Sequence, residues 1–205
     1  LELDHITMRF KDLVALDDLS LHADRAVVHA IVGEGGAGKT VLMKILGGIY
    51  TPTSGSITFE GRPVTIREPA DAKKLGISLI PQEFNLVNDL TVYDNIFLGS
   101  EIRQRSGLLD KKAMMARTRS LLDELEVNIR PDERIDRLSA AEKQMVEISK
   151  AVAMDARLLI MDEPTTVLTQ YEIDILYRLM RRLKSQGVTI IYISHKLKEV
   201  KAICD

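Results

Sequence analysis

Residues 33–40 read Gly33-Glu34-Gly35-Gly36-Ala37-Gly38-Lys39-Thr40. They match G-x-x-x-x-G-K-[ST], a pattern in which glycines let backbone N–H groups turn towards a phosphate. Residues 27–32 before them are nearly all apolar, which suits a strand buried on both faces, and residues 41–46 after them suit a helix. A glycine-rich turn without a ligand is the alternative. The strand and helix on either side favour a phosphate-binding P-loop.

The residue types at the end of this loop predict how a nucleotide would be held. Lys39 would reach the β- and γ-phosphates, and the Thr40 hydroxyl would ligate Mg²⁺. The N-terminus of the following helix adds a partial positive charge. We therefore expect residues 33–41, which include Val41, to contact ATP.

The composition indicates one globular domain. Of the 205 residues, 45% are hydrophobic and 28% are charged, so a sizeable core can form. A net charge of −2 provides no basic field for nucleic acid, and no apolar run approaches the ~18 residues that span a bilayer. The single cysteine, Cys204, excludes an internal disulfide and fits a reducing compartment. Because the sequence lacks an initiator Met and stops at Asp205, we expect a C-terminally truncated domain.

Hydrophobic periodicity divides the chain into regions of different structure. Residues 1–25 alternate apolar and polar side chains, which predicts antiparallel strands, and a turn at 51–55 precedes a short strand at 56–59. Residues 91–153 show helical spacing instead. Apolar runs at 76–80, 157–161 and 188–193 predict further buried strands.

Alternating buried strands and helices predict a mainly parallel sheet with right-handed crossovers. In such sheets, ligands bind beyond the carboxyl ends of the strands. The ends of four predicted strands carry the P-loop, Gln82, the pair Asp162-Glu163, and His195. We expect these groups to converge on one site.

Those side chains suit ATP hydrolysis, which requires charge neutralisation, a metal and a positioned water. Asp162 would hold Mg²⁺ through water, and Glu163 would orient or deprotonate the attacking water. His195 would contact the γ-phosphate, and Gln82 would bridge metal and water. The structural alternative is that the acids end a strand or cap a helix and that His195 and Gln82 have no ligand. Their joint order behind a P-loop favours the catalytic interpretation.

A second stretch, residues 138–144, begins with Leu138-Ser139. Ser139 is followed three residues later by Glu142, which is the spacing of a capping box at the start of a helix. This pattern requires no nucleotide, and on residue spacing alone both a structural and a nucleotide-facing role remain open.

The whole chain resembles an ABC-type ATP-binding domain. The resemblance rests on motifs in the family's order: the P-loop, Ile80-Pro81-Gln82-Glu83, Leu138-Ser139, Leu159-Ile160-Met161-Asp162-Glu163-Pro164 and Ser194-His195. It implies an α/β P-loop NTPase fold with a mainly parallel core sheet and an N-terminal antiparallel β subdomain. Residues 1–90 and 154–205 would form this nucleotide-binding core, and residues 91–153 an inserted α-helical subdomain. It also implies that Phe10 stacks on adenine.

Within that family the chain looks most like the N-terminal half of the double-domain ATPases of bacterial monosaccharide importers. The segments that carry this likeness are Val28-His29-Ala30, Leu42-Met43-Lys44-Ile45-Leu46, Asp94-Asn95-Ile96-Phe97-Leu98-Gly99, Met145-Val146-Glu147-Ile148 and Ala202-Ile203-Cys204-Asp205. The likeness implies an ATPase that couples ATP hydrolysis to sugar uptake. Its partners would be a second ABC domain and membrane permease subunits that dock near residues 83–100. It would lie peripherally on the cytoplasmic side of the inner membrane and bind no nucleic acid.

Three residues depart from the family pattern, which usually has Gly at Ala141, Gln at Glu142 and often Asp at Thr169. In ABC dimers the helix that follows Ser139 faces the γ-phosphate held by the opposite P-loop. A capping Glu stabilises its own helix by about 1 kcal/mol. At about 6 Å from a phosphate it would cost roughly 3 kcal/mol per unit charge at an effective dielectric constant of about 20. We therefore hypothesise that residues 138–142 serve a weak composite site.

Two other classes of function fit parts of the sequence. A soluble ABC protein of repair or translation usually carries coiled-coil inserts or basic arms, and neither occurs here. A regulatory half that binds nucleotide without turnover would need neither Glu163 nor His195. A GTPase is disfavoured because the sequence contains no N/T-K-x-D motif for reading guanine.

Overall fold

The computed structural model describes residues 1–204, and Asp205, the last residue of the importer-like C-terminal segment, lies outside the described residues. The strands of the described chain are β1 (Glu2–Phe10), β2 (Leu13–His22), β3 (Val28–Ile31), β4 (Ser54–Phe59), β5 (Arg62–Val64), β6 (Ile77–Ile80), β7 (Leu158–Asp162) and β8 (Thr189–Ile193). The α-helices are α1 (Lys39–Leu46), α2 (Pro69–Leu75), α3 (Val92–Ile96), α4 (Lys111–Glu124), α5 (Ala140–Val152), α6 (Gln170–Ser185) and α7 (Leu197–Ile203). A single 3-10 turn in this part of the chain covers Ile135–Arg137.

The N-terminal strands form an antiparallel sheet in the order β2-β1-β4-β5, as the alternation over residues 1–25 predicts. Along β1, Leu3, Ile6 and Met8 are buried, so one face of the strand packs on the core. The predicted turn at 51–55 was too long by two residues. Strand β4 begins at Ser54 because Ser54 pairs with Thr7 of β1.

The second sheet has the order β3-β8-β7-β6, with β8 parallel to both β3 and β7. Every residue of β7 and β8 is buried, which explains why both strands read as unbroken apolar runs rather than as alternating patterns. The predicted parallel core sheet is thus confirmed.

Chain contacts divide the described residues into two compact units, and the first holds the strands of both sheets apart from Ile80 at the end of β6. It comprises Leu1–Leu79, Ala156–Glu163 and residues 180–204. Its core joins side chains of β1, β4, α1, β7 and β8, including Ile6, Ile45, Phe59, Ile160 and Ile191.

The second unit is largely helical and comprises Ile80–Asp155 and Pro164–Leu179. Helices α3, α4 and α5 contribute its core, which includes Val92, Ile96, Leu122 and Val146. Among residues 1–204, no helix combines the length and the apolar character needed to cross a bilayer.

One buried amide holds the loop that enters α3. The Asn95 side chain is 0% exposed, and its Nδ2 donates to the carbonyls of Val87 (3.1 Å) and Thr91 (3.0 Å). Its Oδ1 accepts from the Val87 N–H at 2.7 Å. The amide therefore replaces the backbone partners that an irregular loop lacks.

We expect Asn95→Leu to destabilise the protein by about 3 kcal/mol, because it removes three hydrogen bonds and leaves the Val87 N–H without its partner, while the carbonyls of Val87 and Thr91 keep only their backbone donors Leu90 and residue 95. Asn88→Ala, in the same loop but with an exposed side chain, should stay within about 0.5 kcal/mol of the wild type. Chemical denaturation of both variants measures this, and equal unfolding midpoints would contradict the assigned role of Asn95.

Candidate functional site

The glycine-rich loop joins β3 to α1, as the sequence predicts. Gly38 is the N-cap of α1, no side chain caps this end within the described chain, and the first turn contains no acidic residue. The N-terminal amides of the helix are thus left for a ligand. The Lys39 Nζ donates to the carbonyls of Gly33 (2.6 Å) and Glu34 (2.7 Å), which folds its amine back over the loop.

Gly38 is required by both conformation and space. Its φ is +81°, in the left-handed region that side chains disfavour. A Cβ on Gly38 would lie 2.5 Å from the Ala15 carbonyl oxygen and 2.6 Å from the Leu16 side chain of β2. The loop is therefore pressed against the antiparallel sheet, and only glycine fits at this contact.

The P-loop threonine meets the first acid of the predicted pair. The Thr40 hydroxyl donates to Asp162 Oδ2 at 3.3 Å, although 122 residues separate them in the sequence. Asp162, at the end of β7, is only 4% exposed. A hydroxyl and a carboxylate are hard oxygen donors, so this pair fits the ligand preference of Mg²⁺.

The surroundings of Asp162 favour a nearby cation. Burial is the main reason why the pKa of the Asp162 carboxyl is raised above its usual value. The hydrogen bond from Thr40 opposes this rise, and the charge of the adjacent Glu163 adds to it. A bound cation would offset the cost of keeping this carboxylate ionised away from water.

Glu163 and His195 touch directly, which the sequence could not show. The His195 Nδ1 lies 2.7 Å from Glu163 Oε1, and the His195 backbone N–H donates to the same oxygen at 3.1 Å. An ionised carboxylate only accepts, so Nδ1 is the protonated nitrogen and Nε2 is left for another partner. The Glu163 side chain is 10% exposed, whereas that of His195 is 65% exposed.

The backbone at Glu163 is also unusual. Its φ is +51°, in the left-handed region, and its N–H donates to the Ile193 carbonyl at 3.0 Å. This conformation turns the chain sharply out of β7 immediately after Asp162. Seven other described non-glycine residues also have a positive φ, so this conformation places the Glu163 side chain but does not by itself mark a functional site.

Gln82 is exposed and lies in the second unit, two residues after the end of β6. Its predicted role of bridging the metal and the attacking water stays a prediction.

The segment after Gln82 is held by a residue that lies outside every motif with a predicted catalytic role. Glu147 of α5 is buried and accepts a hydrogen bond from the Asn85 backbone N–H. Burial raises the pKa of the Glu147 carboxyl, and the hydrogen bond from Asn85 opposes that rise.

Phe10 lies half-buried at the end of β1 and packs against the core of the first unit. Its ring meets that of Tyr50 edge to face, with centroids 5.1 Å apart, and Lys44 Nζ lies 5.5 Å from the centre of the Tyr50 ring. Tyr50 was not predicted from the sequence. The feature of the sequence that could have drawn attention to Tyr50 is that it is an aromatic residue shortly after α1 in a chain with few aromatics.

Ser139 and Glu142 form the predicted capping box of α5. Glu142 Oε2 accepts from both the backbone N–H and the hydroxyl of Ser139, each at 2.8 Å, and the Glu142 N–H returns a bond to Ser139 Oγ. Thr169 and Glu172 make the same arrangement before α6. At both Ser139 and Thr169, the carboxylate three residues later accepts a hydrogen bond from the hydroxyl that precedes its helix.

This fold and site define a class of protein. A parallel sheet whose strand ends carry a glycine-rich loop, its lysine and an acid pair is the architecture of the P-loop α/β proteins, which bind nucleotide phosphates.

The family follows from comparison with known proteins. A family model described as ABC transporter matches residues 16–166. The chain is 46% identical over 205 residues to a ribose import ATP-binding protein of Hahella chejuensis, and 49% identical over 203 residues to one of Rubrobacter xylanophilus. The chain belongs to the ABC transporter family. It is covered almost completely, at 100% and 99%, but spans only 41% and 40% of the length of these two relatives.

Solved structures agree on the fold. A nucleotide-free ATP-binding cassette from an ABC transporter matches 100% of this chain and 84% of its own, with a TM-score of 0.84 and 24% identity. A dimeric bacterial ABC transporter cassette matches 98% of this chain and 90% of its own, with a TM-score of 0.86 and 21% identity.

We expect Gly38→Ala to lower the free energy of unfolding by about 2 kcal/mol, because it combines a left-handed φ with an overlap against the Ala15 carbonyl. Gly35→Ala is the matched control in the same loop, since a Cβ there meets nothing within 4 Å. Chemical denaturation of the two variants tests the difference. Equal destabilisation at both positions would show that the contact with β2 does not constrain the loop.

Proposed function

We propose that this chain is an ATP-hydrolysing cassette of an ABC importer and that it powers the uptake of a sugar. The observation that carries the proposal is the contact series from Thr40 to Asp162 and from Glu163 to His195, all at one end of the parallel sheet. The names of the relatives, which are ribose and ribose/galactose import ATP-binding proteins, support sugar as the substrate class.

The P-loop supplies the binding step. ATP phosphates would accept hydrogen bonds from the N-terminal amides of α1, which no side chain of the described residues caps. The Lys39 amine already lies over the loop, where it donates to the carbonyls of Gly33 and Glu34. When ATP binds, it would exchange these carbonyls for phosphate oxygens. Residues 33–41 would surround the phosphates, and Phe10 would stack on adenine.

The Mg²⁺ ion would be held by Thr40 and Asp162, with Gln82 as a further predicted contact. When bound, it would neutralise charge on the transferred phosphoryl group. The two described ligands fit the ion because both offer oxygen and because a cation would offset the cost of ionising the buried Asp162 carboxyl. Within residues 1–204, no cluster of three or more His, Cys, Asp or Glu side chains could hold a metal, so substrate oxygens and water would complete the shell.

Glu163 and His195 would carry the hydrolytic step. Glu163 would accept a hydrogen bond from the attacking water, orient it towards the γ-phosphate and take up its proton. His195 would direct its free Nε2 to the γ-phosphate while its Nδ1 stays on Glu163. Because His195 and Glu163 are in direct contact, loss of the γ-phosphate from His195 would also change the position of Glu163, which orients the attacking water.

The cassette would act with a second cassette and with membrane permease subunits, peripherally on the cytoplasmic side of the inner membrane. The chain aligns with about two fifths of each of these relatives, so these partners rest on the family and on the relatives' names. A regulatory half without turnover is the alternative, and the Glu163–His195 pair argues against it because nucleotide binding alone requires neither residue.

We expect Glu163→Gln to reduce the rate of ATP hydrolysis by roughly a hundredfold while ATP still binds, because an amide cannot accept the water proton. Glu68→Gln makes the same chemical change at an exposed carboxyl of the first unit and should leave the rate unchanged. Phosphate release and fluorescent-nucleotide binding measure the two properties. Matching rates for Glu163→Gln and wild type would remove the catalytic role.

Ser139, Ala141 and Glu142 would face the nucleotide bound by the second cassette, and we propose that this composite site is weak. Two observations support the proposal. The Glu142 carboxylate occupies the Ser139 hydroxyl, which is the group that would otherwise donate to a phosphate. The same carboxylate places a negative charge at the N-terminus of α5, where it competes with an anion.

Restoring the family residues tests this weak site. We expect the double substitution Ala141→Gly and Glu142→Gln to leave the ATPase rate of the assembled transporter within about twofold of the wild type, because the opposite site does not limit turnover. The unfolding midpoint should be measured in parallel, since Ala141→Gly places a poor helix former in the first turn of α5, whereas Gln at position 142 can keep the capping box. A tenfold rise in rate would show instead that Ala141 and Glu142 restrain an otherwise active site.

A further inference from the structure

Glu199 is a buried charge close to the proposed site, in the first turn of α7. It is 9% exposed, and its Oε2 accepts from the Tyr192 hydroxyl at 2.7 Å and from the Ser194 hydroxyl at 3.2 Å. Its Oε1 lies 3.1 Å from Lys196 Nζ. A buried carboxylate is tolerated only when it is paired and hydrogen-bonded, and these three partners lie within five consecutive residues.

These partners flank His195 on both sides. Ser194 donates its hydroxyl to Glu199 and accepts the Lys196 backbone N–H at 3.0 Å, so the residues before and after His195 are tied to each other and to one carboxylate. Tyr192, which is fully buried in β8, anchors that carboxylate to the sheet. The backbone that carries His195 is thereby connected to the core.

The His195 ring itself has little packing to restrain it, because 65% of the side chain is exposed. Its position depends on the backbone at 194–196 and on the contact from Nδ1 to Glu163 Oε1. We propose that Glu199 is a positioning residue for His195, acting through Ser194, Lys196 and the Tyr192 hydroxyl. The inference rests on the proposed function, in which His195 contacts the γ-phosphate.

The mechanism of this positioning is geometric. With the backbone at 194–196 held, His195 keeps Nδ1 on Glu163 and presents Nε2 outwards in one orientation. Without the carboxylate anchor, the exposed ring would sample several orientations, and fewer of them would place Nε2 on a phosphate. The expected effect therefore falls on the rate of the chemical step rather than on ATP affinity.

Tyr192→Phe is the sharpest test, because it removes one hydroxyl from Glu199 and leaves the packing of the ring intact. We expect kcat for ATP hydrolysis to fall roughly tenfold, with KM within twofold of the wild type. In a His195→Ala background the same substitution should change kcat by less than twofold, since the group it positions is gone. Glu199→Ala should lower kcat in the same way, and Glu199→Gln, which keeps an accepting oxygen, should recover part of the rate.

Tyr177→Phe is the control, since Tyr177 of α6 is another buried tyrosine and lies in the second unit. It should leave kcat unchanged. An equal fall of kcat caused by Tyr192→Phe in both the wild-type and the His195→Ala backgrounds would overturn the proposal, as would an unchanged kcat in the wild-type background.

A second readout needs no hydrolysis. The ¹⁵N resonances of the His195 ring in the nucleotide-free chain should shift or broaden with Tyr192→Phe and stay unchanged with Tyr177→Phe. A chain without ATPase activity but with this shift would support the positioning role and reject ATP hydrolysis. Unperturbed His195 resonances in Tyr192→Phe would overturn the positioning role whatever the ATPase rate.

Discussion

Hydrogen bonding between the parallel strands β3, β8 and β7 determines the level at which each strand ends. Ile31 pairs with Ile193, and Ile193 pairs with Asp162, so the last residues of all three strands lie in one row. The P-loop, the acid pair and His195 follow directly from that row. A slip of one residue in either pairing would turn every side chain beyond it to the other face of the sheet, so the site depends on this register.

Two buried carboxylates lie close to the ends of the apolar strands β7 and β8. Asp162 and Glu199 are both buried, and each is compensated locally, Asp162 by the Thr40 hydroxyl and Glu199 by Tyr192, Ser194 and Lys196. A buried carboxylate with hydrogen-bonding partners is held rigidly, because the loss of any partner leaves the free-energy cost of its desolvation uncompensated. Rigid carboxylates would suit the proposed site, in which a metal, a water and the His195 ring are positioned together.

Regular elements were predictable where periodicity was long. The unbroken apolar runs of β7 and β8 and the helical spacing within α4, α5 and α6 were enough to predict the main elements and the parallel sheet. The three-residue strand β5 and the short helix α2 were not anticipated, because segments of this length carry too little periodicity. The early start of β4 was missed because Ser54 and Gly55 have turn chemistry, and only pairing with β1 makes them extended.

By itself, the sequence determined the chemical groups and their order: the glycine-rich loop, the acid pair after an apolar strand, and a histidine after the next. These signals are local, since each is written in a few consecutive residues. The tertiary structure alone decided which groups touch. The contacts of Thr40 with Asp162, Glu163 with His195, and Gly38 with Ala15 join residues 122, 32 and 23 positions apart, and their geometry follows from strand pairing and core packing. The contacts of Glu199 and Tyr50 could not be predicted from the sequence for the same reason, because they depend on which residues the fold places around each side chain.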